Sequence, residues 1–234
     1  CKRHNVIFHC DAAQAFGRIP INVDELNIDL MSISGHKTYA PKGIGALYIR
    51  RHKPKIRLNG LFSGGGQERN IRSGTIPVPL AVGLGEAAKI STKEMIDDYK
   101  KTHQLTELFL NEILAIDGVV MHGSDDILPA SIITNYKSSQ NIYNKLSRIA
   151  GNINIGVENI GNKSLISSIK NIAVSSGSAC NSSDLSPSYI LKSLGVNNNL
   201  ATNSIRISFG RFTTKNEIDI AIKVIQDSID NLRK

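Results

Sequence analysis

Short apolar segments with the length of β-strands alternate along the whole chain with segments of helical periodicity. The pattern predicts strands at residues 6–9, 30–34, 44–50, 119–121, 131–135 and 204–209. It predicts helices at residues 79–116, 141–149, 164–170, 186–194 and 214–232. Within the first helical segment, Ser91 and Glu94 have the spacing of a capping box, which predicts a break near Ser91. This alternation is typical of an α/β fold.

The long helical segment at residues 79–116 looks like a bridge between two units of different texture. We therefore expect two domains, at residues 1–90 and 91–234. We interpret residues 197–199, three consecutive asparagines, as a polar turn.

The charge balance allows several kinds of anionic partner but does not favour nucleic acid. The net charge is +8, and the densest basic stretch, residues 50–57, has no interleaved aromatic side chain. Trp is absent and aromatic residues make up only 5% of the chain, so platforms for base stacking are scarce. We expect no direct nucleic-acid partner, and abundant Lys, Asn and Ile equally fit a coding bias.

Two further observations concern the cellular location. The longest apolar run is shorter than the roughly 18 residues that span a bilayer, so we expect no membrane partner. The three cysteines, Cys1, Cys10 and Cys180, are too few and too far apart for a disulfide framework. We expect a reducing compartment: the cytoplasm, or an organelle matrix in a eukaryote.

Residues whose side chains are suited to ligand binding or catalysis follow the first two predicted strands. Asp11 comes just after the first strand, where α/β folds place ligand contacts, although a carboxylate there also caps the following turn. Ser34 and His36 follow the second strand and offer donors for an anion such as phosphate. Lys37 beside them is either a solvated side chain or an amine able to bond a carbonyl cofactor.

Together these residues match the needs of pyridoxal phosphate. That coenzyme requires a lysine for its aldehyde, an acid for its pyridine nitrogen and donors for its phosphate. Lys37 supplies the first, Asp11 the second, and Ser34 with His36 the third. Gln14, three residues after Asp11, is placed to hydrogen-bond the phenolic oxygen of the ring.

Five sequence blocks resemble the cysteine desulfurases of the NifS/IscS type, in order and over nearly the whole chain. They are HCDAAQAFG at 9–17, SGHKTYAPKGIGALYIR at 34–50, GGGQERNIRSGT at 64–75, SSGSAC at 175–180 and SIRISFGRFT at 204–213. The resemblance implies a fold type I transferase that depends on pyridoxal phosphate, with part of the large domain and a small α/β carboxyl-terminal domain. It implies an enzyme that takes sulfur from L-cysteine and leaves L-alanine and a persulfide on the enzyme.

The resemblance also implies a role for individual residues. It puts the coenzyme aldehyde on Lys37, the pyridine-nitrogen contact on Asp11 and the phenolic-oxygen contact on Gln14. It puts phosphate contacts on Ser34 and His36, with Thr75 reaching the phosphate in a partner subunit, which implies a homodimer. It puts the substrate carboxylate on Arg206 and the sulfur-accepting nucleophile on Cys180.

Cys180 lies in a run of small polar residues, 175–183, that is typical of a mobile loop. Such a loop can carry a thiolate to a substrate and then to an acceptor, whereas a lone cysteine is otherwise a small buried hydrophobe, as we expect for Cys10. The family implies delivery of this sulfur to an iron–sulfur scaffold or another acceptor, including thiolation of tRNA. It also implies that Cys180 can ligate an iron–sulfur cluster transiently through its persulfide.

The chain departs from the family pattern in two places. The family is longer at its amino end, where it carries a phosphate loop, a ring-stacking histidine and an asparagine that have no counterpart here. The segment at residues 137–160 contains extra residues, and Gly161-Asn162-Lys163 replaces the Gly-Glu of the family. Arg69 and Arg72 after the glycines either steer the anionic cofactor or fix their loop, and we expect His103 and His122 to be packing or surface residues.

The first departure leaves an alternative to an active enzyme. The chain is then a truncated, non-catalytic remnant or an interaction module that lacks the amino-terminal half of the site. A related pyridoxal-phosphate lyase or aminotransferase is a third interpretation, and Cys180 in its SSGSAC loop disfavours it.

Overall fold

The computed structural model describes residues 1–52, 55–134, 147–176 and 188–234. The α-helices in this part are α1 Val78–Ile113, α2 Ala130–Thr134, α3 Asn162–Ser168, α4 Tyr189–Ser193, α5 Asn198–Thr202 and α6 Lys215–Arg233. The strands are β1 His9–Asp11, β2 Leu30–Ser34, β3 Gly45–Ile49, β4 Val119–Met121, β5 Asn152–Val157, β6 Ser175–Ser176 and β7 Ser204–Ser208. This mixed architecture confirms the predicted α/β class. The described residues divide into two compact units, and the boundary along the chain lies within α1, between Ile96 and Asp97.

The first unit contains a three-stranded sheet in the order β1-β2-β3. β1 runs parallel to β2, with Asp11 opposite Ser32, and β3 is antiparallel to β2. Ala12, Ile28 and Met31 form a small buried cluster beside this sheet, and the half-buried Cys10 packs against it, as expected for a small hydrophobe. The parallel pair brings the carboxyl ends of β1 and β2 to the same edge of the sheet.

The first strand is shorter than predicted. Val6, Ile7 and Phe8 are exposed and precede β1, which begins at His9. The Phe8 amide donates to the Asp29 carboxylate at 2.9 Å, so it is bonded to a side chain and not to a strand ladder. Apolar composition alone therefore placed the strand three residues too early.

Helix α1 is continuous, and the predicted break near Ser91 is wrong. Ser91 is buried inside the helix, and its hydroxyl would lie 3.0 Å from a Cβ at Gly17. The Thr92 hydroxyl donates a hydrogen bond to the Ala88 carbonyl at 2.8 Å, which is compatible with a helical backbone. The capping-box spacing at Ser91 and Glu94 is thus found within a helix and does not start one.

The second unit contains a four-stranded antiparallel sheet in the order β4-β5-β7-β6. Side chains on one face of β5 and β7 are buried and apolar, and they form one cluster with residues of α1, α3 and α6. Ile153 lies opposite Ile207 and Ile155 opposite Ile205, and all four are at most 5% exposed. β5 lies inside the segment 137–160 that departs from the family pattern, so this segment supplies a central strand.

Two predictions for short elements of the second unit are wrong. Residues 130–134 form helix α2 where a strand was expected, and the buried Ile133 shows that tertiary packing overrides the β propensity of isoleucine there. The asparagine run is not only a turn, because the Asn197 side chain accepts from the Leu200 amide at 2.9 Å and caps α5. The predicted helix at 141–149 falls largely outside the described residues.

The terminal helix matches its prediction closely. Thr214 and Glu217 form a reciprocal capping box at the start of α6, and Ile218 and Ile225 on its apolar face are buried. None of the helices in the described ranges combines the length and apolar character needed to cross a membrane.

Candidate active site

The predicted cofactor residues of the first unit follow two neighbouring strand ends. Asp11 ends β1 and Ser34 ends β2, and the Ala12 amide donates to the Ser32 carbonyl at 3.0 Å. Ligand contacts in α/β folds are placed just beyond the carboxyl ends of parallel strands. The fold therefore brings Asp11 and Ser34 to one edge of the sheet, where a small ligand has access to both.

Asp11 has one carboxylate oxygen engaged and one available. Its Oδ1 accepts from the Ala13 amide at 2.9 Å, which closes an Asx turn after β1. In the described part of the chain, Oδ2 has no hydrogen bond, and the side chain is exposed. The two interpretations of Asp11, as a turn cap and as a ligand contact, are thus compatible. Gln14 lies exposed on the same turn.

Ser34 precedes a short 3-10 helix, Gly35–Lys37, which contains His36 and Lys37. The Ser34 hydroxyl lies 3.2 Å from His36 Nδ1, so the two polar groups are already adjacent. A Cβ at Gly35 would lie 2.8 Å from the carbonyl oxygen of Ile44, the residue before β3, so this close approach requires glycine here. Lys37 is exposed and its amine has no ion pair among the described residues.

The glycine-rich loop precedes α1 and contains the exposed Thr75. Gln67 accepts from the Gly74 amide at 3.0 Å, and Arg72 donates to the Ser73 carbonyl at 3.0 Å, so both side chains hold their own loop. For Arg72 this favours the loop-fixing interpretation. Arg69 instead lines a separate cleft of about 990 Å³ beside β3, which none of the predicted cofactor residues lines.

The predicted substrate residue Arg206 lies in the second unit, at the centre of β7. It is half-buried, and within the described ranges its guanidinium makes no hydrogen bond or ion pair. Cys180, predicted to be the nucleophile, lies outside the described residues, four positions after Ser176 at the end of β6. Lys37 and Arg206 are thus positioned by different units.

The polar side chains at the first sheet edge fit the chemistry of pyridoxal phosphate. Asp11 offers a free carboxylate oxygen for a protonated ring nitrogen, Ser34 and His36 offer donors for a phosphate, and Lys37 offers an amine. Among the described residues no three His, Cys, Asp or Glu side chains cluster as a metal site.

A family profile settles the relationship. The profile of the class-V aminotransferases matches residues 1–220. The chain belongs to the class-V aminotransferase family. Members of this family depend on pyridoxal phosphate, which confirms the cofactor class expected from the residues.

Curated relatives of this family member are named cysteine desulfurases. "Cysteine desulfurase IscS" of Rickettsia typhi is 49% identical over 235 residues, which cover 100% of this chain and 52% of that protein. "Cysteine desulfurase, mitochondrial" of Eremothecium gossypii is 46% identical, covering 100% of this chain and 44% of that protein. The chain thus spans about half the length of the curated relatives that it matches.

Solved structures agree. A NifS-like protein from Rickettsia africae superposes with a TM-score of 0.80 at 28% identity, covering 98% of this chain and 55% of that one. The resemblance to the NifS/IscS type is therefore confirmed. The roles of the individual residues stay predictions.

Sequence reasoning passed over two residues of the second unit that the structure places near Arg206. Asn154 lies directly opposite Arg206 on β5, and His122, expected to be an ordinary packing or surface residue, is buried beside β5. For Asn154 a signal was present: Asn152 and Asn154 alternate with isoleucines, which places both on one face of a strand.

Proposed function

We propose that this chain contributes Lys37, Asp11, Arg206 and Cys180 to a cysteine desulfurase that acts on L-cysteine. The observation that carries the proposal is the 49% identity to a named cysteine desulfurase across the full length of the chain. The donor set at the carboxyl ends of β1 and β2 supports it from the structure.

Each residue has a distinct task in this proposal. Asp11 Oδ2 would accept a hydrogen bond from the protonated pyridine nitrogen, while Oδ1 keeps the turn at Ala13 in place. Ser34 and His36 donate to the phosphate, and Gln14 donates to the phenolic oxygen. Bound pyridoxal phosphate supplies an electron sink for the α-carbon of the substrate. Thr75 reaches the phosphate bound in a second copy of the chain, so the site belongs to a homodimer.

Lys37 holds the coenzyme and then moves protons. Its exposed amine has no competing ion pair among the described residues, which leaves it available for the coenzyme aldehyde. As a free amine, the same Nζ would take the proton from the substrate α-carbon as a general base.

Cys180 receives the sulfur. Its thiolate attacks the sulfur of the substrate, so an S–S bond forms as the C–S bond breaks, and the electron pair returns to carbon, which takes a proton to give L-alanine. Arg206 holds the substrate carboxylate through two parallel N–H groups, a task for which lysine is a poor replacement.

The wider setting follows from the same proposal. The persulfide on Cys180 passes to an iron–sulfur scaffold or another acceptor protein, with transient cluster ligation at that sulfur. The first unit corresponds to the large, coenzyme-binding domain and the second to the small domain. Bacterial and mitochondrial relatives support a location in the cytoplasm or in an organelle matrix.

The test uses purified chain incubated with pyridoxal phosphate and L-cysteine. We expect a visible absorbance band from the bound coenzyme and formation of L-alanine. Lys37→Ala removes both, whereas Lys42→Ala, an exposed lysine five residues on, retains both. Cys180→Ser keeps the band and loses sulfur transfer, with Cys1→Ser as its control. A Lys37→Ala variant with unchanged absorbance and turnover would refute the proposal.

A second proposal, the remnant proposal, is that this chain is not catalytic without residues that correspond to the other half of the relative's length. The chain is assayed alone and mixed with the amino-terminal half of the Rickettsia typhi relative. Full activity of the chain alone contradicts the remnant proposal, and activity only in the mixture supports it.

A further inference from the structure

Four polar side chains form a row across the sheet of the second unit. The His122 amide donates to the Asn154 carbonyl at 2.9 Å, Asn154 pairs with Arg206, and Arg206 pairs with Ser175. Residues directly opposite each other in an antiparallel pair point to the same face, with Cβ atoms about 4.5–5.5 Å apart. The row therefore places Asn154 beside Arg206, the residue proposed to hold the substrate carboxylate.

The row lies on the face opposite the apolar core. The neighbours of Asn154 and Arg206 along β5 and β7 are the isoleucines of the core, and strand alternation turns the two polar residues away from them. Both polar residues are half-buried. Core packing on that side of the sheet therefore does not explain the polar pair.

Asn154 and Arg206 have complementary hydrogen-bonding capacity that is unused. Asn154 Oδ1 is buried and has no hydrogen-bond partner among the residues that the structure describes. The Arg206 guanidinium carries five N–H donors, and none is bonded within the part of the chain that the structure describes. Buried polar atoms are nearly always paired, so an unpaired acceptor beside unpaired donors marks a contact that forms in another state.

His122 does not serve as the partner of Asn154 Oδ1. Its ring leans over β5, where Nε2 would lie 2.6 Å from a Cβ at Gly156, next to Leu200 of α5. Nε2 is itself buried, and none of the described residues pairs with it. Arg206, on the other side of Asn154, is the neighbour in the row that carries several N–H donors unbonded within the described residues.

We propose that Asn154 is a positioning residue for Arg206, resting on the proposed function of this site. When a substrate carboxylate arrives, Asn154 Oδ1 accepts one N–H of the guanidinium. The remaining N–H groups are then held as a fork for the two carboxylate oxygens. This contact adds a hydrogen bond to a charged group in the bound state and holds the guanidinium in the orientation that the carboxylate requires.

The test measures the affinity of the purified full-length chain for L-alanine, an α-amino acid that lacks the reactive thiol. Binding is followed by the NMR signal of the Arg206 Nε–H group and by ligand-observed NMR. We expect Asn154→Ala to weaken L-alanine binding about tenfold, which is the loss of one hydrogen bond to a charged group. Asn154→Asp is nearly isosteric, but its carboxylate competes for Arg206 and weakens binding at least as much.

Asn152→Ala is the matched control. Asn152 lies on the same strand and face, opposite Ser208 and not Arg206, and it is exposed. Its affinity for L-alanine should equal that of the wild type. Urea unfolding of each variant separates a folding defect from a binding defect. If the role of Asn154 were purely structural, an Asn154→Asp variant of unchanged stability would bind L-alanine as tightly as the wild type.

The outcomes separate this inference from the proposed function. If Arg206→Ala loses L-alanine while Asn154→Ala and Asn154→Asp bind normally, the inference is overturned and the role of Arg206 stands. If Arg206→Ala binds normally, or if the wild type does not bind, the inference is overturned as well. Coenzyme absorbance and L-alanine formation from L-cysteine then report on the proposed function independently.

Discussion

Tyr99 offers a test of how the second unit holds the segment that leads into β5. Its side chain is 4% exposed, and its hydroxyl donates to the Leu128 carbonyl at 2.7 Å. The Ala150 amide donates to the Tyr99 hydroxyl oxygen at 3.4 Å. Leu128 and Ala150 are themselves 5% and 3% exposed, so water does not easily replace the hydroxyl. Tyr99 therefore ties two buried backbone groups to α1.

Tyr99→Phe removes this hydroxyl and little else. An unsatisfied buried carbonyl costs about 1–3 kcal/mol, while the contact to Ala150 is longer than a usual hydrogen bond and adds little. We expect a loss of about 2 kcal/mol in the free energy of unfolding. Burial raises the pKa of Tyr99 to about 12, so the phenol is neutral at pH 7 and its ionisation does not contribute to the difference.

The assay is urea unfolding at pH 7, followed by far-ultraviolet circular dichroism. With a slope of about 2 kcal/mol per molar urea, the midpoint should fall by about 1 M. Tyr189→Phe is the control, because Tyr189 is 76% exposed and its loss should change stability by less than about 0.5 kcal/mol. Equal midpoints for the wild type and Tyr99→Phe would show that the hydroxyl bond does not stabilise this unit.

Two further predictions concern a helix cap and a buried imidazole. Thr214→Ala removes the capping box in which the Glu217 amide donates to the threonine hydroxyl at 3.3 Å. Urea unfolding should show a loss of about 1 kcal/mol in the free energy of unfolding. An unchanged midpoint would contradict this prediction. Burial lowers the pKa of His122, and the charge of Arg148 lowers it further. Because the imidazole binds a proton more readily in the unfolded chain, the free energy of unfolding should fall as the pH drops below about 6.5. His122→Gln should flatten this decline between pH 7.5 and 5.5 and the exposed His4→Gln should not, whereas an identical decline in His122→Gln would assign it to other groups.

Elements with a strong local signal were predictable from the sequence. Strand β2 matches its predicted bounds, and the capping box starts α6 at the predicted place. The strand at 131–135 and the break at Ser91 were wrong, because local propensity and capping spacing were each overridden by burial in the folded chain. Boundaries failed where the decisive partner lay far along the sequence, as Asp29 does for Phe8.

The features of the candidate site likewise divide into those predictable from the sequence and those that depend on the fold. The family was predictable from the sequence, and so were the candidate residues Asp11, Lys37 and Cys180, because reactive groups are specific to residue type and the motifs that hold them are contiguous. The fold was needed to show that, among the described residues, Asp11 keeps one carboxylate oxygen free and Asn154 faces Arg206 with an unpaired acceptor. Strand register joins residues 52 positions apart in the numbering, and no local pattern specifies which residues a register brings together.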